Sequence, residues 1–101
     1  MMPAKGGVLT EEKVEKYISL TSEALNKLKV VAPERSFNRK LADDFLRMAR
    51  SYFEDAKDFF AKGDLVNAFA CVNYAHGWLD CGARMGLYDV GGDDKLFTLF
   101  E

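Results

Sequence analysis

Apolar positions recur along most of the chain at spacings of three and four, the period of an α-helix with one buried face. Val14, Ile18, Thr21, Leu25, Leu28 and Ala32 form the first such row. Thr10 precedes it as an N-cap, and Glu11 and Glu12 follow where the helix dipole favours acids. Pro33 closes it, because the residue before a proline avoids the helical region. A second helix begins after Ser36. Ala42, Leu46, Ala49, Phe53, Ala56 and Phe60 make one row, and Leu41, Phe45, Met48, Tyr52 and Phe59 an adjoining one. Two adjoining rows predict contact with two other helices. Gly63 and Asp64 then read as a helix stop and a new cap, so the second and third helices form an antiparallel hairpin. The pattern predicts helices at 10–32, 36–62 and 65–85. They make an all-α, up-and-down three-helix bundle over 10–87. A loose lead-in covers 1–9 and a short apolar tail 88–101. No strand pattern stands out.

The third helix is unusual in being apolar nearly all round. Ala68, Cys71, Ala75, Leu79 and Gly82 line one side, with Trp78 at its shoulder. Asn73, Asp80 and Arg84 leave only a narrow polar column, with Gly77 between them and His76 beside it. A helix of this kind needs cover on most sides. The chain offers Leu96, Phe97, Leu99 and Phe100 in the tail, after a flexible stretch at 91–94; a second copy is the other candidate. Gly77 costs about 1 kcal/mol relative to alanine inside a helix, which points to a backbone, of the tail or of a partner, lying close over it.

Composition narrows the function classes. The chain has 101 residues, 49% of them hydrophobic, enough for one modest core. Its formal net charge is -2, which disfavours nucleic acid as a partner. No apolar run reaches the roughly 20 residues of a membrane span, and the first residues lack the apolar core of a signal peptide, so the expectation is a cytoplasmic protein. The side of the second helix that carries Arg39, Asp43, Arg47, Arg50, Glu54, Asp58 and Lys62 reads as a solvated face with four-residue charge pairs. Cys71 and Cys81, about 15 Å apart along one helix, cannot form a disulfide there and are expected to be buried free thiols.

Candidate chemistry concentrates in Asn73 to Asp80, "NYAHGWLD", which holds the only histidine and the only tryptophan. His76 and Asp80 stand one turn apart and could act as an acid–base pair or as two metal ligands. No second histidine or further ligand cluster supports a metal. Successive steps of five from Cys71 to His76 to Cys81 do not share a helix face. A histidine joining two helices by hydrogen bonds is the simpler expectation. No phosphate-binding loop, nucleophile elbow or dinucleotide fingerprint occurs. No cofactor, metal or catalytic residue is expected.

The stretch from Phe59 to Val90, "FFAKGDLVNAFACVNYAHGWLDCGARMGLYDV", resembles the signature of a small archaeal family of unknown function, domain-of-unknown-function family 357. The likeness extends from the first helix to the closing "LFTLF" and is most specific in "KGD…NAFA…YAHGWLDCG". It implies a short, closed, up-and-down three-helix bundle with no assigned activity. Residues 63–75 are also similar to one helical hairpin of the tetratricopeptide type, which requires several copies. The bundle loosely resembles small helical domains with nucleotide-binding and RNA-cutting members, but no arginine stands before His76 as the cutting motif requires. The expectation is a non-catalytic module for protein–protein contact or self-association. The alternative is a small-ligand or nucleotide-binding domain with a groove near His76, Asp80 and Arg84. The residues that would carry either role are Asn73, His76, Gly77, Trp78, Asp80, Arg84, Leu96, Phe97, Leu99 and Phe100.

Overall fold

Three helices begin where the caps place them. In the computed structural model, which describes residues 7–93 and 96–97, α1 is Glu11–Lys27, α2 is Phe37–Ala61 and α3 is Leu65–Arg84. The side chains of Thr10, Ser36 and Asp64 accept from the backbone N–H groups of Lys13, Arg39 and Asn67, each satisfying one orphan donor of a first turn. Gly63 takes φ +79° and Gly86 φ +75°, the left-handed conformation in which glycine ends a helix. The α2–α3 hairpin is the main packing unit, and α1 lies chiefly against α3. The fold is all-α, an up-and-down three-helix bundle.

One element departs from the expected course. α1 stops at Lys27, five residues before the expected end, and Leu28 is extended and buried. Lys29–Val30 forms β1, paired antiparallel with β2 at Tyr88–Asp89, with Lys29 opposite Asp89 and Val30 opposite Tyr88. The Val31 N–H extends the pairing by donating to the Leu87 carbonyl at 3.1 Å. Local sequence permits this, since Val30 and Val31 are β-branched. The deciding partner lies nearly sixty residues away in sequence, out of reach of any periodicity argument.

The core follows the rows of the second helix. Ala42, Ala49, Phe53 and Ala56 are buried, whereas Leu41, Phe45 and Leu46 pack at its margin. On α3 the buried line is Ala68, Val72, Ala75, Leu79, Gly82 and Ala83. Val72, not part of the expected line, is inside, and Cys71, expected inside, is half-buried. Leu87, Tyr88, Val90 and Phe97 join the same core, so the segment after α3 is structural from its first residues. Tyr88 is 4% exposed, and its ring lies against Gly82. A Cβ at Gly82 would overlap ring carbons and the hydroxyl oxygen of Tyr88. The close approach that a helical glycine implies therefore occurs at Gly82, and it admits a side chain rather than a backbone.

On the outer side of α2, Arg39 pairs with Asp43 as expected, but Arg47 turns to Asp44 and Glu54 to Lys57. Two of these three pairs are three residues apart and one is four, and exposed pairs of this kind contribute only a few tenths of a kcal/mol. No helix among the described residues is long and apolar enough to cross a membrane.

Candidate functional site

Placing "NYAHGWLD" on α3 divides it among three surroundings. His76 points toward α1 and the C-terminal segment. Its Nε2 lies 2.6 Å from the Leu96 carbonyl oxygen, which can only accept, so Nε2 carries the proton. Nδ1 lies 3.0 Å from the Thr21 hydroxyl and, in the neutral ring, accepts from it. Thr21 is 2% exposed. The Asp80 carboxylate is 3.9 Å from His76 Nε2, too long for a hydrogen bond. His76 thus joins α1, α3 and the chain after β2.

The C-terminal segment is shaped to meet it. Gly91 and Gly92 both take positive φ and turn the chain back toward α1. Asp93 then does two things. One carboxylate oxygen pairs with Lys27 Nζ at 2.7 Å, and the other accepts from the Leu96 N–H at 3.1 Å. The Phe97 N–H donates to the Asp93 carbonyl, so Asp93 holds both Leu96 and Phe97 and the Leu96 carbonyl faces His76. Phe97 is 2% exposed, with its ring 6.4 Å from that of His76. Within the expected flexible stretch at 91–94, Asp93 is instead an anchor. Leu99 and Phe100, named with Leu96 and Phe97 as covering residues, lie outside the described residues.

Beside this latch is a cavity of about 300 Å³ between α1 and α3. Tyr17, Asn73, His76, Gly77 and Asp80 reach it, with Leu96 at its edge. It brings together most of the residues expected to line a groove, but Arg84 does not reach it. Trp78 is on another side, edge-on to Phe45 at 5.2 Å and to Tyr74 at 6.3 Å. Its Nε1 is buried with no acceptor among the described residues, a cost of about 1–3 kcal/mol set against burial of the ring in the core margin. Among the described residues no three His, Cys, Asp or Glu side chains gather as a metal would require.

The thiols differ from expectation and from each other. Cys81 is exposed, and Cys71 is half-buried. Burial, with the Asp55 and Asp64 carboxylates adding to it, pushes the Cys71 thiol above its ordinary value, so its reactive thiolate is disfavoured. Cys81 is exposed because it falls one turn from Gly77 on the outward arc of α3.

That outward arc is the part of the nearly all-apolar α3 that the described residues leave open. Val66, Ala70, Tyr74, Gly77, Cys81 and Met85 are all exposed, Val66 at 72%, Tyr74 at 55% and Met85 at 56%. They span about 100° of the helix surface and carry no charge. A Cβ at Gly77 would meet nothing within 4 Å among the described residues, so no described segment of this chain lies over it. The signal was present in the sequence as a second apolar row opposite the first. The C-terminal segment could have been its cover, but Leu96 and Phe97 lie on the His76 side.

The latch can be tested by its energetics. Thr21→Val is expected to cost about 1 kcal/mol, since it leaves a half-buried His76 nitrogen unpaired. In a His76→Leu background the same change is expected to cost at least 0.5 kcal/mol less, on the order of a contacting pair's coupling. Urea unfolding of the four members of the cycle measures this.

Fold and site together define a small helical bundle whose chain end is pinned to its first and third helices through one histidine. Residues 16–88 match the model of the family described as Protein of unknown function (DUF357). The chain belongs to that family. No curated protein and no solved structure matches it.

Proposed function

We propose that the protein is a non-catalytic interaction module that binds another protein chain through the outward arc of α3. The observation that carries this reading is the arc itself, a strip of exposed uncharged residues that runs along a 20-residue helix and is edged by Asn67 and Arg84. Elsewhere the surface is rich in charge, as on α2. Exposed single hydrophobic residues are ordinary, but a contiguous apolar strip rimmed by polar residues marks an interaction surface. The polar chemistry of the chain supports the same reading. Both nitrogens of its only histidine are committed to holding the fold, and the Cys71 thiol is held protonated.

The cavity beside His76 is the basis of a second reading, a small-ligand site. A ligand there would meet mainly Asn73 and Asp80 as polar groups, and about 300 Å³ is the lower end of ligand-pocket size. The interaction reading is the better supported. Action in the cytoplasm belongs to the same proposal, since two unpaired thiols suit a reducing compartment.

A photocrosslinking residue in place of Tyr74, in cells producing the full chain, tests the proposal. A protein adduct is expected that wild-type protein competes away and the Tyr74→Glu protein does not. The same probe at Arg47, on the charged face of α2, is expected to yield none. Absence of any competed adduct at position 74 would overturn the reading.

A further inference from the structure

We infer that the partner of the α3 arc is a second copy of this chain, packed antiparallel about a two-fold axis that passes between Ala75 and His76. The inference rests on the interaction reading above and names its occupant. A two-fold interface must be self-complementary, each residue meeting the one that meets it. The arc has that property in its spacing. About the point midway between Ala75 and His76, Val66 mirrors Met85, Ala70 mirrors Cys81, and Tyr74 mirrors Gly77. In antiparallel register every exposed apolar position therefore faces another.

Size agrees with spacing. Each mirror pair sets a larger side chain against a smaller or more flexible one, and the central pair sets the largest against the smallest. Tyr74 is 55% exposed, and the space above Gly77 is open among the described residues. The Tyr74 ring of one copy can seat over Gly77 of the other, twice about the axis. This supplies the reason for Gly77 that no described segment of the same chain supplies. The Tyr74 ring is already steadied edge-on by Tyr52, with centroids 4.5 Å apart, so little freedom is lost on docking.

Charge sets the direction. The polar members of the arc's edges, Asn67 and Arg84, are mirror partners as well. Asp64 hydrogen-bonds Asn67 at 2.7 Å, so the antiparallel pairing brings the Arg84 guanidinium toward an acid of the second copy at each end. Helix dipoles oppose in the same arrangement. Parallel pairing would set Arg84 against Arg84 and Asp64 against Asp64.

The area sets the strength. From Val66 to Met85 the strip is about 28 Å long and one helix wide, less than the roughly 800 Å² per partner of a standard interface. The dimer is therefore a concentration-dependent one.

Sedimentation equilibrium of the full chain is expected to show a reversible monomer–dimer equilibrium. Gly77→Leu and Tyr74→Glu are each expected to raise the dissociation constant at least tenfold while circular dichroism stays that of the wild type. Disulfide trapping reads the register. With Cys71→Ser in place, adding Ala70→Cys opposite the native Cys81 is expected to give a covalent dimer under mild oxidation. Without Ala70→Cys the two Cys81 residues would stand about 16 Å apart along the axis, too far to bridge, and no covalent dimer is expected. A chain that stays monomeric to millimolar concentration overturns the inference. If the Tyr74 photoadduct still forms with a different protein, the interaction reading survives that failure. Ready Cys81–Cys81 crosslinking without Ala70→Cys also overturns the inference, because it requires another register.

Discussion

Gly82→Ala is expected to lower the unfolding free energy by about 2 kcal/mol, the usual cost of overpacking a filled core, and the melting temperature by about 10 °C for a chain of this size. Alanine would otherwise gain about 1 kcal/mol inside a helix. The net loss arises because the new Cβ overlaps the ring and hydroxyl of Tyr88, and Tyr88 is wedged between α3 and α2 with its hydroxyl 3.4 Å from the Ala42 carbonyl. Gly77→Ala supplies the control on the same helix. Its Cβ enters open space among the described residues, so dilute monomer is expected to gain about 0.5–1 kcal/mol. In a Tyr88→Leu background the loss at Gly82 should shrink or change sign. A Gly82→Ala protein as stable as the wild type would show that the Tyr88 ring slides aside freely.

The second large effect is alkaline unfolding. Burial raises the Tyr88 phenol from 10.0 to about 12, and the Asp43 carboxylate adds to the shift while Arg50 opposes it. The folded value lies above the unfolded one, so folding favours the protonated phenol. The stability linked to Tyr88 is complete below pH 10 and is lost as pH rises from about 10 toward 12. Two units correspond to about 2–3 kcal/mol. Urea unfolding of the wild type across that window, compared with Tyr88→Phe, should show this component missing from the variant, whose weak 3.4 Å hydrogen bond is the only other loss.

Both effects centre on a residue that periodicity assigned to a tail. The reading of the helices succeeded because their information is local. Thr10, Ser36 and Asp64 act as N-caps through their own first turns, and Gly63 and Gly86 end helices by their own φ. Among the described residues the close approach to a helical glycine is at Gly82, and none is made to Gly77. A helical glycine signals that something lies near, and the neighbour's identity is not encoded in the helix. Two glycines five residues apart, Gly77 and Gly82, carried the same local signal. One sits under a buried tyrosine and the other under space that is open among the described residues.

The candidate site shows the same division. His76 and Asp80 were legible as neighbours from their spacing alone, and His76 as a bridge between helices from its isolation on a packed helix. Thr21 was visible as a hydroxyl within an apolar row. Its pairing with His76 across 55 positions was not visible, and neither was the role of Asp93, which looked like part of a flexible turn. Lys27 and Asp93 meet only because β1 and β2 have already brought the end of α1 against the chain leaving α3.

The sequence by itself determined three amphipathic helices, their caps, the tight α2–α3 hairpin and the all-α class, because each follows from residues within a few positions of one another. The tertiary structure alone decided where α1 gives way to a strand, which glycine lies beneath Tyr88, how Leu96 is fastened through His76, and which face of α3 the described residues leave open. Those outcomes depend on contacts between residues tens of positions apart, and one helix's periodicity shows that a face is apolar without showing what will cover it.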